Sequence, residues 1–127
     1  MVDNYSRQIF HYETDSDGVC HFSNYFRIAE EALFHALGLE MGRFAVLEAT
    51  AQYLQPLRHG SPFAVSIELA GMRPSNFTLI FVIGNSPPAA RLTIRFAPID
   101  PVKWEIVPIS KILKEKLKQY DHSCTYV

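Results

Sequence analysis

The sequence predicts an α+β fold in which an antiparallel β-sheet packs on one long α-helix. Three observations carry that prediction: one strongly periodic helical segment, a following stretch of alternating strands joined by short turns, and a length that supports one core. A chain of 127 residues buries about two-thirds of its surface on folding, which suits one domain over residues 1–127. Hydrophobic residues make up 48% and aromatic residues 13% of the chain, far from the composition of disordered proteins. No internal repeat or low-complexity block interrupts it, and Pro and Gly are scattered as punctuation.

Residues 5–12 are rich in aromatic and β-branched types and run into the polar cluster Glu13-Thr14-Asp15-Ser16-Asp17-Gly18, which predicts a strand followed by a loop. Tyr25, Ile28, Ala29, Ala32, Leu33, Ala36 and Leu37 then recur at helical spacing on one face. Ser23 or Asn24 suits the start of that helix and Gly38 its left-handed stop, giving about 13 residues. Phe26 and Phe34 lie off the main stripe, so the helix is expected to be covered on more than one side. From Phe44 to Val107 the pattern is strand separated by turns. Phe63, Val65, Ile67 and Leu69 alternate with Ala64, Ser66, Glu68 and Ala70. The run from Phe77 to Ile83 follows a Pro74-Ser-Asn turn, and Leu92, Ile94 and Phe96 alternate with Arg91, Thr93 and Arg95 after Asn85-Ser-Pro-Pro88. Such short connections favour antiparallel hairpins. The chain closes with a short helix capped by Ser110, its inward residues expected to be Ile109, Ile112, Leu113 and Leu117. One long helix covers one face of such a sheet, so a partner is expected on the other face or an edge.

Composition also excludes functions. Twelve Lys and Arg against thirteen Asp and Glu leave a net charge of −1, which offers no general attraction to nucleic acid or to an anionic membrane. No apolar run approaches the length of a membrane span, and the first residues, Met-Val-Asp-Asn-Tyr, are unlike a basic and then apolar leader. A soluble cytoplasmic protein is expected, with Cys20 and Cys124 as reduced thiols.

The segment 13–25 places carboxylates immediately before a helix N-terminus, whose unpaired N–H groups and partial positive charge suit a developing oxyanion. A carboxylate beside such a cradle is the minimum equipment for hydrolysing an activated acyl group: the acid activates a water or attacks the carbonyl itself. A thioester suits this equipment, since a thiol of pKa about 8.5 leaves with little help from an acid.

The same residues carry a resemblance. The segment from Thr14 to Phe26, Thr-Asp-Ser-Asp-Gly-Val-Cys-His-Phe-Ser-Asn-Tyr-Phe, resembles the T-D-x-x-G-V-x-x-x-x-N-Y signature of hotdog-fold acyl-CoA thioesterases, in the hydroxybenzoyl-CoA thioesterase-like group. Tyr53-Leu-Gln-Pro-Leu-Arg-His-Gly60 resembles the family's Y-x-x-P strand, and Val107-Pro-Ile-Ser-Lys-Ile-Leu113 its closing x-P-I-P-x-x-L. The resemblance spans nearly the whole chain. It implies a hotdog fold, a sheet wrapped around the long helix, dimerising edge to edge with acyl sites at the interface. It also implies that Asp15 is the catalytic carboxylate, that the Phe22 backbone N–H polarises the thioester carbonyl, that Gly18 forms the turn, and that Asn24 and Tyr25 open the helix, Asn24 in support of the loop. Asp17 stands where the family usually has a small residue, and Phe22 where one branch has His and another an aromatic.

Plainer readings stand beside these. Asp15 also suits a simple turn cap, and Asp17 a solvated loop acid. Glu30 and Glu31 are alternative bases or surface charges. Cys20-His21 reads as a core thiol and a loop imidazole, since neighbours on extended chain point apart. His11, His35, His59 and His122 lack metal-ligand spacing, so neither metal nor cofactor is expected. Lys111, Lys114, Lys116 and Lys118 read as a solvated helix face with CoA phosphates as the alternative, and Arg58 and His59 as candidate substrate contacts. Phe44, Tyr53 and Phe77 suit a pocket or the core. Asp15-Ser-Asp-Gly-Val also resembles the nucleophile motif of haloacid-dehalogenase-like phosphatases, but the larger α/β domain and the later acidic pair are missing. A calcium loop starting at Asp15 would need Gly and Glu where Cys20 and Phe26 stand.

The expected function is hydrolysis of an acyl-CoA or acyl-carrier-protein thioester by a homodimer or homotetramer. A non-catalytic acyl-thioester binding subunit on the same fold is the alternative. A hotdog dehydratase lacks the His and acid arrangement of that branch.

Overall fold

The computed structural model describes residues 5–38 and 41–121. Cys124 and His122 therefore lie outside the described residues. The elements run β1 (Tyr5–Gln8), a 3₁₀ turn (His11–Glu13), α1 (Asn24–Leu37), β2 (Arg43–Tyr53), β3 (Pro62–Arg73), β4 (Asn76–Gly84), β5 (Pro88–Ile99) and α2 (Lys111–Lys118). The five strands form one antiparallel sheet in the order β1-β3-β4-β5-β2.

The alternation in β3, β4 and β5 lines up across the sheet, so that one face is apolar. Val65 pairs with Ile83, Ile67 with Phe81, and then Phe81 with Leu92, Leu79 with Ile94 and Phe77 with Phe96. All of these are buried. Against them pack Tyr25, Ile28, Ala29, Ala32, Leu33 and Leu37 of α1, the helical stripe expected from its spacing. Burial of each large side chain contributes on the order of 1.5–3 kcal/mol, and small Ala29 and Ala32 let the helix approach closely. Gly38 ends α1 at φ 83, a conformation that suits glycine.

Four expectations change. The first strand stops at Gln8 instead of Tyr12, because the Phe10 N–H turns inward to the Glu13 carboxylate at 2.9 Å. Strand structure ends at Ile99, and residues 100–105 close as a turn in which Asp100 accepts from Val102 and Lys103; only an isolated Ile99–Ile106 bridge follows. Ile112 faces solvent at 62% exposure, since the inward row of the last helix runs through Leu113 and Leu117 and on to Tyr120. Phe34 is exposed, whereas Phe26 packs on the core.

Three hydrogen bonds fix the C-terminal helix. Ser110 accepts the Leu113 N–H as its cap, and the Tyr120 carbonyl accepts from the Leu69 N–H at 2.7 Å. The Lys116 ammonium also donates to the Leu37 carbonyl at 3.0 Å, so it complements the end of α1 where the sequence suggested a solvated lysine.

Candidate active site

Residues 14–20 form a tight hairpin immediately before α1. Thr14 and Cys20 bridge, the Asp15 N–H donates to the Val19 carbonyl at 2.9 Å, and Gly18, at φ 76, donates to the Asp15 carbonyl at 3.0 Å. One carboxylate oxygen of Asp15 accepts from the backbone N–H groups of Asp17 at 2.9 Å and Val19 at 3.3 Å. The turn-cap reading is thus satisfied by Oδ1 alone. Oδ2 accepts no hydrogen bond from the described residues, and the side chain is exposed. Asp17 is likewise exposed.

Three residues from the middle of the chain come beside this hairpin. The Cys20 N–H donates to the Leu57 carbonyl at 2.7 Å, Val19 bridges to Arg58, and the His59 N–H donates to the Gly18 carbonyl at 3.2 Å. Arg58 and His59 are both exposed. The His59 ring lies edge-on to His11 at 5.2 Å.

At the helix start, Phe22 donates its N–H to no described residue, while its carbonyl accepts from Tyr25. Its ring is 60% exposed, stacked on His21 at 4.5 Å and edge-on to Tyr53 at 6.0 Å. Ser23 makes no side-chain cap bond to the helix; its hydroxyl meets His21 Nδ1 at 2.8 Å instead. Asn24 donates through Nδ2 to the Glu13 carbonyl at 2.8 Å, tying the first helical residue back across the hairpin. Tyr25 is buried, 5.4 Å from the Tyr53 ring. Burial, with the neighbouring Cys20 sulfur, pushes its hydroxyl up to about 12.

Cys20 is the core thiol expected, whereas Glu31 reads differently in the structure. Cys20 is a buried thiol pushed up to about 11, first by burial and then by the Glu13 charge. Glu31 is no free surface charge: it accepts from Arg7 at 2.9 Å and from the Tyr5 hydroxyl at 2.8 Å. Glu30 stays exposed, at the rim of an apolar cleft of about 660 Å³ between α1 and the β2–β5 end of the sheet. Phe34, Phe44, Val46, Phe96 and Trp104 line that cleft. The Trp104 indole is 66% exposed on a backbone held at φ 58, a region that bulky residues rarely adopt. Phe77 fills the core, and Phe44 both packs on it and reaches the cleft. Among the described residues no group of three or more His, Cys, Asp or Glu is gathered as a metal site, and no helix is long and apolar enough to cross a membrane.

Sequence reasoning placed Glu13 at the start of a polar loop; it is fully buried. Burial raises its pKa, but hydrogen bonds and charge from Arg7, the Phe10 N–H and Arg27 outweigh that and hold it below its ordinary value. Nothing in the local spacing announces this, because its cationic partners lie in other elements.

A five-stranded antiparallel sheet curled over one long helix, with an acid-bearing turn at the helix start, defines a hotdog-fold protein. No family-level sequence profile matches the chain. The chain is 32% identical over 92 residues to the "Putative esterase" of Aquifex aeolicus, covering 62% of this chain and 70% of that protein. It is 23% identical to the 1,4-dihydroxy-2-naphthoyl-CoA hydrolase of Rippkaea orientalis, over 96% of this chain and 99% of that one. The solved structure of the hypothetical protein AQ1494 from Aquifex aeolicus superposes with a TM-score of 0.82 at 28% identity, over 91% of this chain and 98% of that one. Structures named as thioesterases share the fold with TM-scores of 0.75–0.82 at 17–20% identity. The chain belongs to the hotdog-fold acyl-CoA thioesterase superfamily.

Proposed function

We propose that the protein hydrolyses an acyl-CoA thioester to the free acid and thiol. The observation that supports this reading is that the hairpin leaves Asp15 Oδ2 without a hydrogen bond, and the turn into α1 leaves the Phe22 N–H without an acceptor, among the described residues. Asp15 Oδ2 takes the proton of a water that attacks the thioester carbon, or attacks that carbon itself and is released by water. The Phe22 N–H, aided by the helix dipole, carries the oxyanion, and the C–S bond breaks with the electron pair leaving on sulfur. Asn24 and Gly18 hold the hairpin. Arg58 and His59, both exposed, are the substrate contacts and offer donors to the CoA phosphates, whereas Tyr25, expected among them, is buried beside Tyr53. An acyl-carrier-protein thioester is the alternative substrate.

The acyl group is apolar. Its seat is the cleft lined by Phe34, Phe44, Val46 and Trp104, whose size and lining suit a drug-sized apolar ligand. The name of the Rippkaea relative, which specifies a naphthoyl-CoA, supports an aromatic acyl group. β2 runs from this cleft to Tyr53 beside Phe22, and its side chains are largely exposed. Antiparallel pairing of β2 with its copy in a homodimer sets the cleft of one subunit near the Asp15 hairpin of the other. A homotetramer is the larger alternative. The reducing cytoplasm is the compartment proposed, consistent with a free Cys20 thiol.

The deciding experiment is thiol release from short, long and aromatic acyl-CoAs by the unmodified protein and by Asp15→Asn. A loss of about 10²–10⁴ in rate is expected. Turnover within a few fold of the unmodified protein overturns the role of Asp15. Tight acyl-CoA binding with no turnover on any substrate assigns a non-catalytic binding subunit instead.

A further inference from the structure

We infer that Glu13 is the positioning residue of the candidate site, setting where Asp15 and the start of α1 stand relative to each other. This inference rests on the thioesterase reading only for its kinetic test. Glu13 is the one buried charged side chain among the described residues, at 0% exposure. Its Oε1 accepts from Arg7 Nη1 at 2.8 Å and the Phe10 N–H at 2.9 Å; its Oε2 accepts from Arg7 Nη2 at 2.8 Å and Arg27 Nη2 at 2.9 Å. The carboxylate is therefore grasped from β1, from the 3₁₀ turn and from α1 at once.

The backbone of the same residue holds the other end of the site. The Glu13 carbonyl accepts the His21 N–H at 2.9 Å, where the hairpin closes next to Phe22, and Asn24 Nδ2 at 2.8 Å, where the helix begins. Asp15 lies two residues downstream of the same anchor. One residue thus joins the framework, through its side chain, to both the acid and the oxyanion end of the site, through its main chain. Arg7 extends the cluster to Glu31 at 2.9 Å, which also receives the Tyr5 hydroxyl, so α1 is held at two points one turn apart, to β1 through Glu31 and to the 3₁₀ turn through Arg27.

Stability alone does not call for this arrangement. Well-packed apolar residues replace a buried ion pair with little loss or with a gain, and such contacts slide. Bidentate charge-assisted bonds instead fix direction as well as distance, and a reacting group misplaced by 1 Å loses on the order of 10²-fold in rate.

The test uses Glu13→Gln, which keeps the side chain's size and turns an amide toward an arginine, and Arg27→Gln, which removes one grip from the partly exposed side. Ser110→Ala, which loses the cap of the distant last helix, is the control for lowered stability. Acyl-CoA turnover is measured on folded protein, together with amide hydrogen exchange. Glu13→Gln is expected to lose about 10²-fold in kcat with KM within about threefold, and Arg27→Gln to move the same way by less. Faster exchange is expected at Asp15, Gly18 and His21 while Val65 and Leu92 stay protected. Ser110→Ala keeps its kcat.

A folded Glu13→Gln with unchanged kcat overturns the inference, and so do kcat losses that follow melting temperature in all three variants. If Glu13→Gln does not fold, Arg27→Gln decides by the same readouts. If the unmodified protein releases no thiol, the thioesterase reading fails separately. Exchange then decides alone, and unchanged rates over residues 14–21 in the variant reject the positioning role.

Discussion

Burial pushes the Cys20 thiol up to about 11, and the Glu13 carboxylate adds to the rise, so at neutral pH the sulfur stays protonated and a poor nucleophile. Cys20→Ala is expected to keep kcat within about threefold, because no thiolate is available to lose; a loss of more than tenfold in thiol-release assays would return the sulfur to the mechanism. Asp15 shows a different case: Oδ1 caps its own turn while Oδ2 accepts no hydrogen bond from the described residues, so the turn-cap reading is met and the proposed catalytic role is left to the Asp15→Asn assay. The turn cap at Asp15 was legible from the local segment, because turn chemistry is written within a few residues, and the Asn24 tie from the resemblance alone. The burial of Glu13 was not, since it depends on Arg7 and Arg27 arriving from β1 and α1.

The two helices differ in how they begin. Ser110 accepts the Leu113 N–H at 3.2 Å, whereas Ser23 turns to His21. Ser110→Ala should therefore cost about 1 kcal/mol of stability and Ser23→Ala much less, as read from urea unfolding midpoints. Equal losses would show that the Ser23 contact with His21 stabilises as much as a cap does. The helical stripe of α1 and the alternation of β3, β4 and β5 were legible because each buries one face against a continuous core. β2 was harder to read. It is a strand by virtue of its pairing with β5 while most of its side chains are exposed, so its identity rests on a partner far along the chain. The outward turn of Ile112 has a related cause: an eight-residue helix buries only one narrow row.

At the scale of the molecule, charge couples folding to pH from both sides. Glu13 has its pKa lowered by folding; its stabilising contribution is complete above the ordinary glutamate value near 4.5 and is lost as pH falls through the lower folded value. Tyr25, raised to about 12 by burial, contributes fully below the ordinary value of 10.0 and loses that contribution as pH climbs toward 12. Urea unfolding between pH 7 and pH 3 is expected to show falling stability that Glu13→Gln flattens, and an equally steep fall in that variant would assign the acid sensitivity to other carboxylates. Assembly is tested separately: Val46→Asp, on the exposed side of β2, is expected to yield monomers in sedimentation analysis and to lose thioesterase turnover, and an intact active dimer would move the interface elsewhere.

The strand order carries a last consequence, in time. β3, β4 and β5 are neighbours in both chain and sheet, but β1 waits for β3, and β2 has no strand partner until β5 exists. On the ribosome, then, the hairpin that bears Asp15, the apolar stripe of α1 and the whole of β2 emerge before the surface that covers them has been made. Non-local pairings of this kind form late. The meander of β3 to β5 is therefore expected to fold first, and the residues synthesised ahead of it, which carry the candidate site, to take their shape last.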